Sequence, residues 1–189
     1  MDQFKNPLML ASGAVAAASV GTGADAQSMP DGFYAGLSLG DYVGANNDEG
    51  YSWDGSTRGG VFVGYDQDFG NFFLGGEVAL TLGGALSVYS ISGDPYIGEN
   101  LVDLKIRIGK EFGNTKFYGF AGYSTMDAQE DTDEFTVSGK NGGIGMSLAI
   151  NSNIDVGLEY IRRELDNSAA YYTATDNLST VALRVGFQF

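Results

Sequence analysis

Acidic and basic residues alternate with apolar residues in several stretches of this chain. Near residue 105, for example, Asp103, Lys105 and Arg107 alternate with Leu104 and Ile106. In an extended strand, side chains spaced two residues apart lie on one face, so the charged and the apolar residues here face opposite sides. Carboxylates and cations that share one face can form ion pairs, which is the chemistry this spacing allows.

The same face counting assigns a set of charged residues to the side opposite the apolar one: Glu77, Asp103, Lys105, Arg107, Glu111, Asp155, Glu159 and Arg184. If the strands close into an eight-stranded barrel, the interior is just wide enough for side chains to fill. We predict that these residues form a mixed-sign lumen charge network that fills and specifies the interior. A charged gate for small ions is the functional alternative.

The chain contains no Cys and no His, which removes most catalytic and metal-binding chemistry. The formal net charge is −14 with only 10 Lys and Arg residues, so nucleic acid is not expected as a partner. We predict that the protein is not an enzyme and uses no cofactor.

Eight alternating segments follow one another at about 33–43, 58–69, 72–82, 100–112, 116–127, 138–150, 154–165 and 178–189. Each has the length of a tilted strand that crosses a bilayer. Short turns rich in Gly and Asn connect some of them, at 70–71, 113–115 and 151–153. Long polar connections, at 44–57, 83–99, 128–136 and 166–177, connect the others. This alternation is typical of a bacterial outer-membrane barrel with both termini in the periplasm.

Acidic residues are concentrated in the long connections: Asp48, Glu49, Asp54, Asp94, Glu99, Glu130, Asp131, Asp133, Glu134, Asp166 and Asp176. Among these, Asp131, Asp133 and Glu134 are the best candidate ligands for Ca²⁺ or Mg²⁺. They lack the glycine and the spacing of an EF-hand, so we predict a solvated acidic loop rather than a metal site.

Aromatic residues fall at both ends of the predicted strands. Those in the long connections are candidate contacts for an extracellular partner or for the outer lipid interface: Tyr51, Trp53, Tyr96, Tyr171 and Tyr172. Those beside the short turns are predicted to form a periplasmic aromatic girdle: Phe33, Phe69, Phe72, Phe112, Phe117, Phe187 and Phe189.

The final segment carries an uninterrupted apolar row, Val181, Leu183, Val185, Phe187 and Phe189. Such a row is best explained by a strand whose outer face meets lipid and whose edges are closed in a barrel. The row also resembles the assembly signal by which the barrel-assembly machinery recognises its clients. We therefore predict that this machinery is a partner.

The first residues have the features of an export signal. Lys5 precedes an Ala-rich apolar run over 8–20, and Ala24-Asp25-Ala26 has the small-x-small form of a cleavage site. We predict a cleaved signal peptide at 1–26, a short periplasmic segment at 27–32 and an outer-membrane β-barrel at 33–189.

Four motifs carry a resemblance to a known family: 142–145 (Gly-Gly-Ile-Gly), the turn 151–153, 157–162 (Gly-Leu-Glu-Tyr-Ile-Arg) and 183–189 (Leu-Arg-Val-Gly-Phe-Gln-Phe). With the strand rhythm of 33–189, they resemble the outer-membrane β-barrel domain family, which includes the opacity-type porins, the OmpX-like proteins and the OmpA transmembrane domain. The resemblance implies an all-β, eight-stranded antiparallel transmembrane up-and-down β-barrel in the bacterial outer membrane.

The leading functional hypothesis is a non-enzymatic barrel with a structural role or a surface-interaction role through its acidic extracellular loops. Its expected partners are outer-membrane lipid and lipopolysaccharide, together with an unidentified extracellular partner if there is one. A small-solute porin-type channel is the alternative. A soluble lipocalin-like barrel would need an apolar interior, which is the reverse of the pattern found here.

Overall fold

The computed structural model describes residues 32–47, 53–54, 57–82, 86–89, 95–130, 133–167 and 174–189. The strands are β1 (Gly32–Asn47), β2 (Trp53–Asp54), β3 (Arg58–Asp68), β4 (Phe73–Leu82), β5 (Leu86–Tyr89), β6 (Pro95–Phe112), β7 (Thr115–Glu130), β8 (Asp133–Ala149), β9 (Ile154–Asn167) and β10 (Ala174–Gln188). Within these ranges, no helix is long and apolar enough to cross a membrane.

Eight of the strands close into an antiparallel up-and-down barrel, as the sequence predicted. Each long strand pairs with its neighbours in the order β1, β3, β4, β6, β7, β8, β9, β10, and β10 pairs again with β1. The two short strands lie outside this ring, where β2 pairs with β5 and β5 pairs with β6. Closure leaves no long strand edge unpaired, which a wall surrounded by lipid requires.

The outer wall is apolar because the period-two alternation holds through the barrel. Ile106 is 66% exposed, whereas Lys105 and Arg107 on either side of it in β6 are 2% and 5% exposed. β7, which has aromatics on both faces, follows the same rule: Phe117 is exposed, and Tyr118 is buried inside. The apolar side chains of the outer wall have large exposed fractions because they face lipid rather than water.

Short turns close one end of the barrel, which we call the short-turn end. Gly70 (φ +81°) and Gly113 (φ +64°) adopt backbone conformations that favour glycine. In the third turn, the Asn151 side-chain oxygen accepts hydrogen bonds from the backbone N–H groups of Asn153 and Ile154, both at 2.9 Å. The backbone N–H of Phe189 donates to the Phe33 carbonyl at 2.9 Å, so both ends of the barrel chain lie at this rim.

The aromatic residues beside the short turns are exposed and contact one another. The Phe69 and Phe72 rings stack with centroids 5.2 Å apart, and Phe112 meets Phe117 edge to face at 6.1 Å. Phe33 contacts Tyr65 in the same way at 5.0 Å. These rings lie where an interfacial belt of aromatics is expected.

At the opposite end, which we call the long-loop end, several strands run further than predicted. The predicted loop at 128–136 is wrong, because β7 and β8 remain paired up to Glu130 and Asp133. β6 also begins at Pro95 rather than near residue 100, with a bulge at Asn100 (φ 49°). Backbone pairing therefore continues beyond the segments whose length matches a bilayer. The polar residues of these extensions gave no alternating pattern from which the pairing could be predicted.

The lumen as candidate functional site

A layer of charged residues crosses the middle of the lumen. This central charged layer consists of Glu77 of β4, Lys105 and Arg107 of β6, Glu159 of β9 and Arg184 of β10. Each of them is at most 5% exposed. All belonged to the predicted network, and the structure brings them into one set of ion pairs that spans the barrel.

Glu77 is the most highly connected member of the central charged layer. Its Oε1 accepts a hydrogen bond from Lys105 Nζ at 3.1 Å. Its Oε2 accepts from Arg107 Nη1 at 2.9 Å and from Arg184 Nη2 at 2.6 Å. Tyr34 OH donates to the same oxygen at 3.0 Å. One carboxylate therefore links four strands of the wall. Its ion pairs and hydrogen bonds are what a buried charge needs in order to be tolerated.

Glu159 holds the other side of the layer. Its Oε1 accepts from Lys105 Nζ at 2.5 Å, and its Oε2 accepts from Arg184 Nη1 and, at 3.1 Å, from Tyr118 OH. Lys105 and Arg184 each bridge Glu77 and Glu159, so the two carboxylates share their cations. The arrangement is a closed network rather than separate pairs.

Glycines in the wall make room for the two tyrosines that support the network. A Cβ at Gly64 would overlap the Tyr34 side chain, and a Cβ at Gly145 would overlap the Tyr118 ring. The interior aromatics Phe73, Tyr118 and Phe120 pack with Ile161 as a buried group. Inward glycines and aromatics thus fit together across neighbouring strands, a common device in sheets that curve.

Asp103, a member of the predicted network, lies outside the central charged layer, towards the long-loop end, and forms a separate ion pair. Arg163 Nε and Nη2 donate to the two Asp103 oxygens at 2.8 and 2.7 Å. Ser124 Oγ donates to Asp103 Oδ1 at 2.6 Å, and Asn141 Nδ2 donates to Ser124 Oγ at 2.8 Å. Face counting stopped at Glu159 in β9, although continuing it by two and four residues would have placed Arg163 inside.

Towards the short-turn end, a third group surrounds Lys116. Its Nζ lies 3.2 Å from Asp66 Oδ2 and 3.1 Å from Glu111 Oε1. Asp66 and Lys116 were missing from the predicted network, while Glu111, half-buried, was part of it. Asp155, the remaining predicted member, is half-buried here and forms no ion pair with the residues that the structure describes.

An apolar cap closes the lumen at the long-loop end. It consists of Leu101, Met126, Val137, Leu165 and Leu178, each at most 1% exposed, with Tyr42 and Phe135 packed against it. These residues come from five neighbouring strands, one level outside the Asp103–Arg163 pair. The predicted lumen network named only charged residues, so sequence analysis did not identify this apolar level.

The space left inside is small and divided. An outer cavity of about 40 Å³ lies between the cap and the central charged layer, and an inner cavity of about 20 Å³ lies on the other side. Arg184 and Phe62 line both, which places them in the partition. Each cavity has room for only a few water molecules.

The acidic candidate site lies mostly outside the described residues. Asp131 falls in an undescribed stretch, and the side chain of Asp133 is also not described. Elsewhere in the described part of the chain, no group of three His, Cys, Asp or Glu residues could hold a metal ion. The loop aromatics at 51, 171 and 172 are likewise outside the described residues.

Comparison with known proteins agrees with this architecture. No curated protein sequence matches the chain. Among solved structures, Ail of Yersinia pestis, in complex with the heparin analogue sucrose octasulfate, superimposes with a TM-score of 0.59 at 16% identity over 84% of this chain and 97% of that one. The outer membrane protein OprG of Pseudomonas aeruginosa gives 0.56 at 10% identity over 88% and 99%. The N-terminal β-barrel domain of OprF from the same organism gives 0.56 at 13% over 86% and 100%.

These structures share the fold of this chain at low sequence identity. Membership of a family is shown by a match to a family model. The model for the outer membrane protein β-barrel domain matches residues 10–189, nearly the whole chain. Together with the closed eight-stranded barrel and its apolar outer wall, this match means that the chain belongs to the outer membrane protein β-barrel domain family.

Proposed function

We propose that the protein is a non-enzymatic outer-membrane barrel with a closed lumen, whose role is structural or is exerted by its long-loop end at the cell surface. The division of the lumen into two small cavities by the central charged layer is the observation that carries this proposal. A permeation path would need both this layer and the apolar cap to move. Neither cavity offers space for an organic solute, because each holds no more than a few water molecules.

The charge of the long connections limits the kind of surface partner. The four segments predicted as loops contain acidic residues and no Lys or Arg. Ail was solved with a polyanionic ligand, and an acidic rim of this kind would repel such a ligand. We expect a surface partner, if the protein has one, to present positive charge or to be bridged by divalent cations.

The outer wall offers cations for lipid at the long-loop end. Lys140 and Arg162 are exposed on adjacent strands, and Glu164 lies between them, 2.8 Å from Lys140 Nζ. Phosphates of lipopolysaccharide carry the charge that such residues attract. This feature supports lipopolysaccharide as a contact of the outer wall.

The two ends of the barrel support an orientation in the membrane. Short turns, the first strand residue and Phe189 share one rim, as expected of a periplasmic face. We place both termini in the periplasm and the acidic connections outside, with export by a signal peptide cleaved after Ala26.

Conductance in planar bilayers tests the closed lumen. Refolded barrel, whose folding is verified by heat-modifiable migration in detergent gels, should give no steady openings. The variant Glu159→Ala removes one carboxylate of the partition and should give openings more often than wild type. Glu164→Ala, on the exposed side of the same strand, is the matched control and should behave as wild type. Steady conduction by the wild type would replace this proposal with the small-solute channel.

Assembly is tested separately at the final strand. Deleting Gln188 and Phe189 should lower the amount of protein in the outer membrane, since the terminal apolar row is proposed to be read by the barrel-assembly machinery. Phe69→Ala removes a girdle aromatic away from this row and should not lower that amount. Unchanged membrane levels of the truncated chain would contradict an assembly role for Phe189.

A further inference from the structure

Arg58 is a buried cation that has no hydrogen-bond or ion-pair partner among the residues that the structure describes. It is the first residue of β3, lies inside the lumen and is 4% exposed. No described residue accepts a hydrogen bond from its Nε, Nη1 or Nη2. Its neighbour is Tyr42, whose ring centroid lies 5.4 Å from Arg58 Cζ. Because arginine stays protonated in proteins, this side chain holds a positive charge and five unused donors.

A second unused donor lies beside it. The Tyr42 hydroxyl is buried and has no hydrogen-bond partner among the described residues. Both Tyr42 and Arg58 line the outer cavity of about 40 Å³, so both sets of donors adjoin the same enclosed space. Two buried donor groups at one cavity require a hydrogen-bond acceptor that the described residues do not supply, such as an ion or water.

The lining of the outer cavity carries an excess of positive charge. Four cations line it, Arg58, Lys105, Arg163 and Arg184, against two carboxylates, Asp103 and Glu159. Both carboxylates are already paired, because Arg163 donates to both oxygens of Asp103 and Glu159 accepts from Lys105 and Arg184. Lys105 and Arg184 also pair with Glu77, which leaves Arg58 as the cation of this lining without an ion pair in the described part of the barrel. Among the described residues, no carboxylate is left to pair with Arg58, although the cavity lies between Leu101 of the apolar cap and the central charged layer.

We propose that the outer cavity is a binding site for one small monovalent anion of the halide class, held by the Arg58 guanidinium with the Tyr42 hydroxyl as a further donor. A water molecule needs about 10–15 Å³ of such a cavity, so a space of about 40 Å³ suits a halide ion and excludes an organic anion such as gluconate. Water alone would supply hydrogen bonds to Arg58 but would leave the excess charge uncompensated.

Urea unfolding of the refolded barrel in detergent micelles tests this site. Ionic strength is held constant while sodium gluconate is replaced by sodium chloride or sodium bromide. Above the dissociation constant, each tenfold increase in halide should raise the folding equilibrium constant about tenfold, because the anion binds only the folded state. Gluconate should have no such effect. A wild type that does not distinguish halide from gluconate would overturn the proposal.

Two variants localise the effect. Arg58→Met should abolish the halide dependence, whereas Arg162→Met, which removes an exposed arginine of β9, should retain it. Tyr42→Phe removes only one donor and should weaken the halide dependence. This variant replaces Arg58→Met in the test if Arg58→Met does not fold. Equal halide dependence in wild type, Arg58→Met and Tyr42→Phe would overturn the assignment to this cavity.

Anomalous scattering from crystals grown in sodium bromide gives a direct measurement. A bromide peak within hydrogen-bond distance of the Arg58 guanidinium is expected. Density for water alone at this position, without anomalous signal, would overturn the proposal. Neither result depends on whether the barrel conducts ions.

Discussion

The central charged layer and the apolar cap fill the same lumen by opposite means. In the charged layer, Glu77 is held by directed contacts of 2.6–3.1 Å with four partners. In the cap, Leu165 and its neighbours are at most 1% exposed and depend on packing alone. The charged layer fixes which strands face one another, because each charge must meet its partner. The cap requires only that volume be filled.

This difference predicts how each region fails. Removing one member of the charged layer leaves buried charges uncompensated, while removing part of a cap residue leaves an empty space. The first loss is electrostatic, and neighbouring side chains cannot repair it by moving closer. The second depends on how far the neighbours collapse into the space.

The largest effect is expected from Glu77→Ala. Three cations, Lys105, Arg107 and Arg184, would lose an acceptor at once. We expect a loss of about 3–5 kcal/mol in the free energy of unfolding, measured by urea titration in detergent micelles, as for other broken buried ion pairs. Glu111→Ala is the matched control, since this half-buried carboxylate contacts only Lys116 among the cations in the described part of the barrel, and its loss should be smaller. Equal losses would mean that the central layer has no special role.

In the cap, Leu165→Ala should lower the free energy of unfolding by about 2–5 kcal/mol, because it opens a cavity among buried neighbours. The control is Leu104→Ala, which removes the same atoms from the lipid-facing side of the wall, where Leu104 is 57% exposed. Lipid or detergent fills that space, so the loss should be smaller. If both variants lose the same stability, Leu165 is not part of a packed cap.

The same two regions show how far sequence reasoning reaches. Over residues 102–108 of β6, charged and apolar residues alternate strictly, so the inward face of Lys105 and Arg107 could be predicted from the pattern. The cap could not be, because Leu101 and Leu165 have the same character as the lipid-facing leucines. A period-two pattern separates the faces only where they differ in polarity.

Partners were harder to predict than faces. The sequence grouped Asp103 with Glu77 and Arg107, but the structure pairs Asp103 with Arg163, from a distant strand. That choice depends on strand tilt and stagger around the barrel, which set the height of each side chain and which no local pattern encodes. Arg58 was missed for a different reason: the inward residues that follow it on β3, Gly60, Phe62 and Gly64, carry no charge, so polarity did not mark the inward face of this strand.

The lipid-facing leucines extend the comparison to the outer wall. Leu104→Arg or Leu183→Arg should cost about 2–4 kcal/mol near the bilayer midplane, since hydrocarbon cannot solvate the guanidinium. Leu82, at the long-loop end of β4, is the depth control, and Leu82→Arg should cost about 0–1 kcal/mol near the interface. Folding titrations into lipid vesicles measure all three. A cost independent of depth would place the membrane differently on the wall.

The smallest effect on the free energy of unfolding is expected at the exposed ion pair between Lys140 and Glu164. It resembles the buried pair between Asp103 and Arg163 in distance and differs from it chiefly in exposure. On β9, Arg163 faces inward and Glu164 outward: Arg163 Nη2 lies 2.7 Å from Asp103 Oδ2, and Glu164 Oε2 lies 2.8 Å from Lys140 Nζ. Lys140 is 76% exposed, so solvent screens its attraction to Glu164.

Glu164→Ala should therefore leave the free energy of unfolding in detergent unchanged within error. Asp103→Ala is the buried counterpart and should lose about 3–5 kcal/mol, because Arg163 would remain inside without its carboxylate. Urea titrations at low and high salt separate the two, since screening by salt acts on the exposed pair and hardly on the buried one. A substantial loss of stability in Glu164→Ala would show that the exposed ion pair stabilises the long-loop end. Exposed and buried ion pairs would then contribute more similarly to stability than their exposure predicts.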